Sequence, residues 1–341
     1  MLFESAEKHS LQEILNMEMP AVIQWAVPVM LSLVLLEFII GQFDKKKLYM
    51  RKDFFASAAI GVGNLISTAI SQTIMFTVVW AVYYYIAPVT IEPAWWSYVL
   101  CIICLDFCRY WAHRVAHEQR FWWATHVTHH SSEQYNFAVS FRLSWVQQIK
   151  VIFFLPVAAM GFDPIVFFIC HQVAVLYQFW LHTELIKKTP KVIEYIFTTP
   201  SHHRVHHGRN PKYLDRNYGS TFIIWDRIFG TFTPEEERPD YGITNQPKGF
   251  NPVYLVFHEF IDIVNDMKKP KSWKNKIKLA FAPPGTDFDA ENQKFIYPTH
   301  LHIDDKLQVV TDRAITEPTP FEHDMKNVIE KERSEKEKIL V

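Results

Sequence analysis

The chain has almost no net charge, four cysteines in 341 residues and only 21% charged residues. With 35 Lys and Arg against 36 Asp and Glu, there is no basic excess to hold a polyanion, and no nucleic-acid partner is expected. Cys101, Cys104, Cys108 and Cys170 all sit in apolar runs, which excludes a disulfide framework and makes C-x-x-C at 101–104 a pair of small core side chains. Residues 1–19 are polar and mixed in charge, so no cleavable signal is expected. The H-E-x-x-H motif is absent, which argues against a zinc hydrolase with a carboxylate base.

What is abundant is apolar and aromatic. Apolar residues make up 49% of the chain, with eleven Trp, fourteen Tyr and 27 Phe, and the charges lie mostly outside the long apolar runs. The run 21–43 carries one acid, Glu37, across a length that spans a bilayer as a helix. Glu37 is then either satisfied inside the bundle or snorkelling toward the next loop. That loop, 44–53, packs in five basic residues, which places it in the cytoplasm by the positive-inside rule. The run 54–87 is too long for a simple span, and Gly61, Gly63 and Asn64 suggest a bend or an interfacial first segment. The loop 88–93 has one acid and no base, as the far side should, and Trp95 and Trp96 follow where an aromatic belt belongs.

A third span, 94–111, returns to the cytoplasm. The apolar pair 143–160 and 164–181, joined by G-F-D-P, reads as an in-and-out hairpin. The expected fold is all-α: a polytopic membrane helix bundle of about five apolar segments under a cytoplasmic, histidine-rich helical cap. Its divisions are an N-terminal segment 1–19, a membrane domain 20–260 and a polar tail 261–341, solvated or disordered.

Eleven of the sixteen histidines fall between 113 and 207. On helices, His113 and His117 share a face, as do His126 and His130 with His129 beside them, and His203, His206 and His207 repeat the pattern. Thr199, Pro200 and Gly208 frame the last group as a helix of about two turns. His182 stands alone before it, and His171, deep in an apolar run, reads as a bundle residue. Neutral imidazole is the commonest side-chain metal ligand. Eight or nine imidazoles without a cysteine cluster are too many for one ion and suit two. Two irons among nitrogen ligands can accept O2 and two electrons to break a C–H bond, and a site at the mouth of a membrane bundle selects lipid. Asp106, seven residues before His113, is placed either to support a ligand's second nitrogen or to pair with Arg109 or Arg114. A metal-dependent hydrolase and a metal-storage scaffold are the alternatives from other classes.

D-F-C-R-Y-W-A-H-R-V-A-H (106–117), H-V-T-H-H (126–130) and S-H-H-R-V-H-H-G-R-N (201–210) resemble the three histidine boxes of the fatty acid hydroxylase and sterol desaturase superfamily of membrane di-iron oxygenases. Within it, H-H-S-S-E-Q-Y-N (129–136), F-W-L-H-T-E (179–184) and N-Y-G-S-T-F-I-I-W-D-R-I-F-G-T-F (217–232) are similar to signatures of the alkylglycerol monooxygenase family. The likeness covers about 20–260. It implies His113, His117, His126, His129, His130, His182, His203, His206 and His207 as ligands of two Fe ions. It also implies O2 as oxidant, an external electron donor, a protein or a pterin such as tetrahydrobiopterin, and a membrane lipid as substrate at the cytoplasmic side. Hydroxylation beside an ether oxygen would give a hemiacetal that collapses to a fatty aldehyde; fatty-acyl, sterol or aminolipid hydroxylation or desaturation is the alternative. Two departures stand out. Gln178 occupies a position where fatty acid 2-hydroxylases carry a further histidine, and a charged tail replaces the extra apolar C-terminal segments of the animal ether-lipid enzyme. Asp106, Gln178, Glu184, His202 and Asn217 are candidates for support behind the ligands, with Glu133, Tyr135 and Asn136 as polar neighbours of the boxes.

Overall fold

The structure, a computed structural model, describes residues 8–16, 22–43 and 48–298. Parts of the expected N-terminal segment, three lysines of the basic loop (45–47) and the tail beyond 298 lie outside the described residues. After a short α1 (Leu11–Asn16), α2 (Val22–Phe43) and α3 (Arg51–Ile86) are the two described helices long and apolar enough to cross a membrane. Both turn large apolar side chains outward, among them Trp25, Leu35, Leu65 and Ile70. That is a stable arrangement in lipid and a costly one in water.

No break interrupts α3 near Gly61, where a bend or an interfacial first segment was expected: the helix is continuous over 36 residues. Instead, the glycines leave room for neighbours. A Cβ at Gly63 would lie 2.3 Å from the Trp145 indole, and one at Gly61 would press on Phe141. The Trp145 Nε1–H donates to Ile60 O at 2.9 Å and Asn64 Nδ2 donates to Ser144 O at 2.9 Å. At about 54 Å, α3 overshoots the hydrocarbon, and its first turns join the cap: Ala56 and Ile60 pack on Leu255 and Val256.

Helix α4 (Trp95–Glu118) carries the first histidine pair in its last turns and is followed by α5 (Arg120–Ala124) and α6 (Val127–His130). Two 3-10 stretches, Phe137–Phe141 and Gln147–Phe154, lead into α7 (Leu155–Ala159), and α8 (Pro164–Phe179) comes back. The expected spans 143–160 and 164–181 are thus shorter and partly 3-10. Gly161 makes the turn between them at φ 95°, where its carbonyl accepts from Ile91 N–H at 2.7 Å, and Asp163 Oδ1 caps α8 by accepting from Ile165 N–H. The core of α3, α4, α7 and α8 holds Val79, Leu105, Val157, Phe162, Val166 and Phe167.

Beyond it come α9 (Lys191–Ile196), α10 (Pro200–His206), α11 (Ile224–Phe229), α12 (Pro252–Asp266) and α13 (Trp273–Phe281). A small antiparallel hairpin, β1 (Asp287–Asp289) with β2 (Lys294–Ile296), is the only sheet among the described residues. The boundary expected at residue 260 falls inside α12. This stretch docks on α5, where Arg120 pairs with Glu259 and Asp266, each at 2.7 Å.

Candidate metal centre

Four short helical pieces carry the histidines to one place. The end of α4 presents His113 and His117; α6 and its N-cap present His126, His129 and His130; α8 ends just before His182; α10 and its C-cap present His203, His206 and His207. Pro200 at the first position starts α10, as expected from the sequence. The nine side chains form two groups: His113, His117, His126, His130 and His206, and then His129, His182, His203 and His207. Within each group the ligating nitrogens lie within 4.8 Å of one another.

The nitrogens converge without protons enough to satisfy them. In the first group, Nε2 of His126 lies 2.9 Å from Nε2 of His113 and 3.2 Å from Nε2 of His130. In the second, Nε2 of His182 lies 3.1 Å from that of His129 and 3.0 Å from that of His203, which is 3.2 Å from Nε2 of His207. The Nδ1–H groups of His113, His182 and His206 donate to the carbonyls of Tyr218, Gln178 and Arg216 at 2.8, 2.9 and 3.0 Å. That tautomer leaves each Nε2 a bare lone pair turned inward. The Nε2 atoms of His117 and His206 are buried without a hydrogen-bond partner among the described residues. Burial first, then neighbouring charges, holds His126, His129, His130, His203, His206 and His207 well below the ordinary histidine range, and burial takes His182 to about 4. A cation in each group satisfies every converging lone pair at once, whereas a proton serves one pair at a time. All-imidazole donor sets suit iron, zinc, copper and nickel.

The residues behind the histidines differ in part from expectation. Asp106 supports no ligand nitrogen and pairs with neither arginine. Its carboxylate accepts from the N–H groups of Thr221 and Phe222 and from Trp225 Nε1, at 2.8, 3.1 and 3.0 Å, pinning the loop before α11. Asn217 latches that loop: Nδ2 donates to the carbonyls of His202 and Thr233, and Oδ1 accepts from Thr233 N–H. His202 stays out of both groups and faces Glu194 at 3.1 Å. The Gln178 side chain bonds its own helix at Ala174 O, and only its backbone carbonyl reaches His182. Glu184 pairs with Arg238 at 3.6 Å and Glu133 with Arg209 at 3.8 Å. Asn136 caps a 3-10 turn, and Tyr135 donates to Leu181 O with its ring 5.2 Å from that of His207. Glu37 is satisfied inside the bundle, accepting from Phe137 N–H, Tyr49 and Thr183, next to His182.

Asp215 and the carbonyls of Arg216 and Tyr218 are the features that spacing did not reveal; of this loop only Asn217 stood among the candidates. Asp215 Oδ1 lies 3.5 Å from His117 Nδ1, and the Arg216 and Tyr218 carbonyls take His206 and His113. Asp215 and Asn217 hold φ of 57° and 56°, a left-handed conformation that Asp and Asn tolerate better than most residues. The only trace in the sequence is D-R-N-Y-G, an Asp and an Asn just before a glycine.

Residues 98–231 match the fatty acid hydroxylase family model. The chain is 44% identical over 199 residues to alkylglycerol monooxygenase of Xenopus tropicalis, covering 57% of this chain and 44% of that protein. It is 37% identical over 272 residues to the Homo sapiens alkylglycerol monooxygenase, covering 79% of this chain and 60% of that one. Ornithine lipid hydroxylase OlsE of Rhizobium tropici is 31% identical over 163 residues, 46% of this chain and 49% of that protein. No solved structure matches. The chain is thus similar to the fatty acid hydroxylase family over residues 98–231 and, over a longer stretch, to alkylglycerol monooxygenases. It spans about half the length of the curated relatives it matches.

Proposed function

We propose that the chain is a membrane oxygenase that hydroxylates a lipid C–H bond next to an ether oxygen, releasing a fatty aldehyde from an alkylglycerol. The observation that carries this reading is the convergence of nine imidazoles into two adjacent groups at the end of an apolar bundle. Each group is assigned one iron: His113, His117, His126, His130 and His206 for the first, His129, His182, His203 and His207 for the second. Bound there, the irons would supply O2 activation, with two electrons from an external donor for which tetrahydrobiopterin is the first candidate. The chain's own contribution is to hold the imidazoles deprotonated and oriented. The carbonyls of Tyr218, Arg216 and Gln178 fix three tautomers, and burial keeps competing protons away.

In this reading the chain crosses the bilayer five times, and the basic loop 44–53 and the cap both face the cytoplasm. The similarity to an ornithine lipid hydroxylase favours aminolipid hydroxylation as the second reading. The test uses membranes holding the full-length protein, O2 and a reductant. They should convert 1-O-alkylglycerol to fatty aldehyde, the His130→Ala variant should not, and the purified protein should hold two irons. Iron at that ratio with no aldehyde, and with a hydroxylated aminolipid instead, would select the second reading.

A further inference from the structure

One helical turn before His113, on the same face of α4, lies Arg109. Its Nε and Nη2 are buried without a hydrogen-bond partner among the described residues, while its Cζ sits 5.2 Å over the Phe154 ring. The His171 ring of α8 meets the same phenylalanine edge-on, centroids 5.3 Å apart. Lys150, half-buried in the 3-10 stretch that packs on α4 and ends at Phe154, makes no hydrogen bond or ion pair among the described residues.

Among the described residues, no carboxylate pairs with these groups. Gln147–Ala159 and Pro164–Phe179 contain no acid, and α3, which packs on both, has none after Asp53. The one carboxylate acting on Arg109 is Asp106, already taken by two backbone N–H groups and Trp225. A guanidinium and an ammonium brought into an apolar bundle without a counter-charge are strongly disfavoured, and ionisable groups at membrane depth mark ligand or ion paths. We propose that Arg109, Lys150 and His171 bind an oxyanion, a phosphate or carboxylate, carried by the head group of the lipid substrate. This rests on the lipid-oxygenase reading above.

Position and chemistry agree with that assignment. Arg109 and His113 are four residues apart, about 6 Å along the helix, so an anion at the first and a carbon oxidised beside the second are separated by a few covalent bonds of one molecule. Arg109 offers a planar fork of donors suited to two oxygens, and Lys150 adds a point charge. A free hydrated anion would have to shed its water to enter, whereas a lipid brings an alkyl chain whose burial offsets that cost.

The test compares 1-O-alkylglycerol with 1-O-alkylglycerol 3-phosphate on the full-length protein in non-ionic detergent, reading both equilibrium binding and oxidised product. The wild type should bind the phosphate-headed lipid about ten to a hundred times more tightly. Lys150→Met should erase most of that ratio, and Lys150→Arg should restore it. Arg109→Gln reads the same ratio if Lys150→Met does not fold. Equal binding of the two lipids by the wild type, or a ratio untouched in both variants, would overturn the site. Competition by inorganic phosphate as effective as the lipid's own would overturn the assignment to a head group. Preferential binding of the anionic lipid without oxidation of either substrate would support the site while sinking the ether-lipid reading.

Discussion

The two histidine groups are built from shared helices but braced by different means. On α6, His129 belongs to the four-membered group and its neighbour His130 to the five-membered one; on α10, His203 and His207 go one way and His206 the other. Neighbours i and i+1 on a helix point about 100° apart, while i and i+4 coincide, so two short helices serve both groups and neither can assemble alone. The bracing is not shared. The five-membered group leans on the 215–218 loop, through one carboxylate and two carbonyls. The four-membered group has one carbonyl, at Gln178, and leaves Nδ1 of His129 and His203 buried without a partner. The first group is therefore held from outside and the second mostly by its own members.

Breaking one ligand in each group is the largest perturbation. His206→Ala and His203→Ala should each reduce turnover to background and lower the metal content from about two ions per chain to about one, because removing one imidazole leaves a buried gap no other ligand fills. Elemental analysis of the two purified variants checks this. Full metal content in either one would show that its group does not bind.

Acid should act on both groups together. The histidines cited above have folded pKa values below the unfolded value of about 6.5, so the unfolded chain binds more protons than the folded one below that pH. By linkage, stability is intact above about 6.5 and falls as pH drops through it, toward the depressed folded values. The metal-free protein should show a midpoint of thermal unfolding that declines between about pH 6.5 and 5. A flat midpoint there would mean the imidazoles are not held neutral.

How much of this was legible depends on the range of the interaction. The i, i+4 pairs, the Pro200 start of α10 and the two long apolar helices are local patterns, and the chain displays them. The division of His129 from His130 follows only once α6 is placed between two partners. The roles of Asp106 and the 215–218 loop depend on contacts made across more than a hundred residues, at Thr221 and Tyr218, and no spacing encodes those. Gly61 and Gly63 read as a bend or an interfacial segment because the Phe141 and Trp145 side chains that need their space come some eighty residues later.

The bracing itself can be tested on the first group. Asp215→Asn keeps the shape and removes the charge facing His117, so metal affinity should fall about ten- to a hundred-fold, as for other outer partners of metal-bound imidazoles. Isothermal titration with metal on the apo protein reads it. An unchanged affinity would mean that the 3.5 Å contact does not tune the ligand.

The smallest effect belongs to the matching position of the second group. Gln178 braces His182 through its backbone carbonyl, and its side chain turns back to Ala174 O within the same helix. Removing the side chain leaves the carbonyl, the helix and the His182 tautomer in place. Alanine is also at least as good a helix former as glutamine, so Gln178→Ala should change metal affinity and turnover by less than about two-fold, within the few tenths of a kcal/mol expected for a side chain without a special partner. Gln178→Pro is the sharper partner experiment. A proline there cannot donate its N–H to the preceding turn and disturbs the last turn of α8, so it should misplace His182 and empty the four-membered group first. If Gln178→Ala proved as damaging as Asp215→Asn, the amide would be reaching the metal site directly, and the two groups would be braced alike.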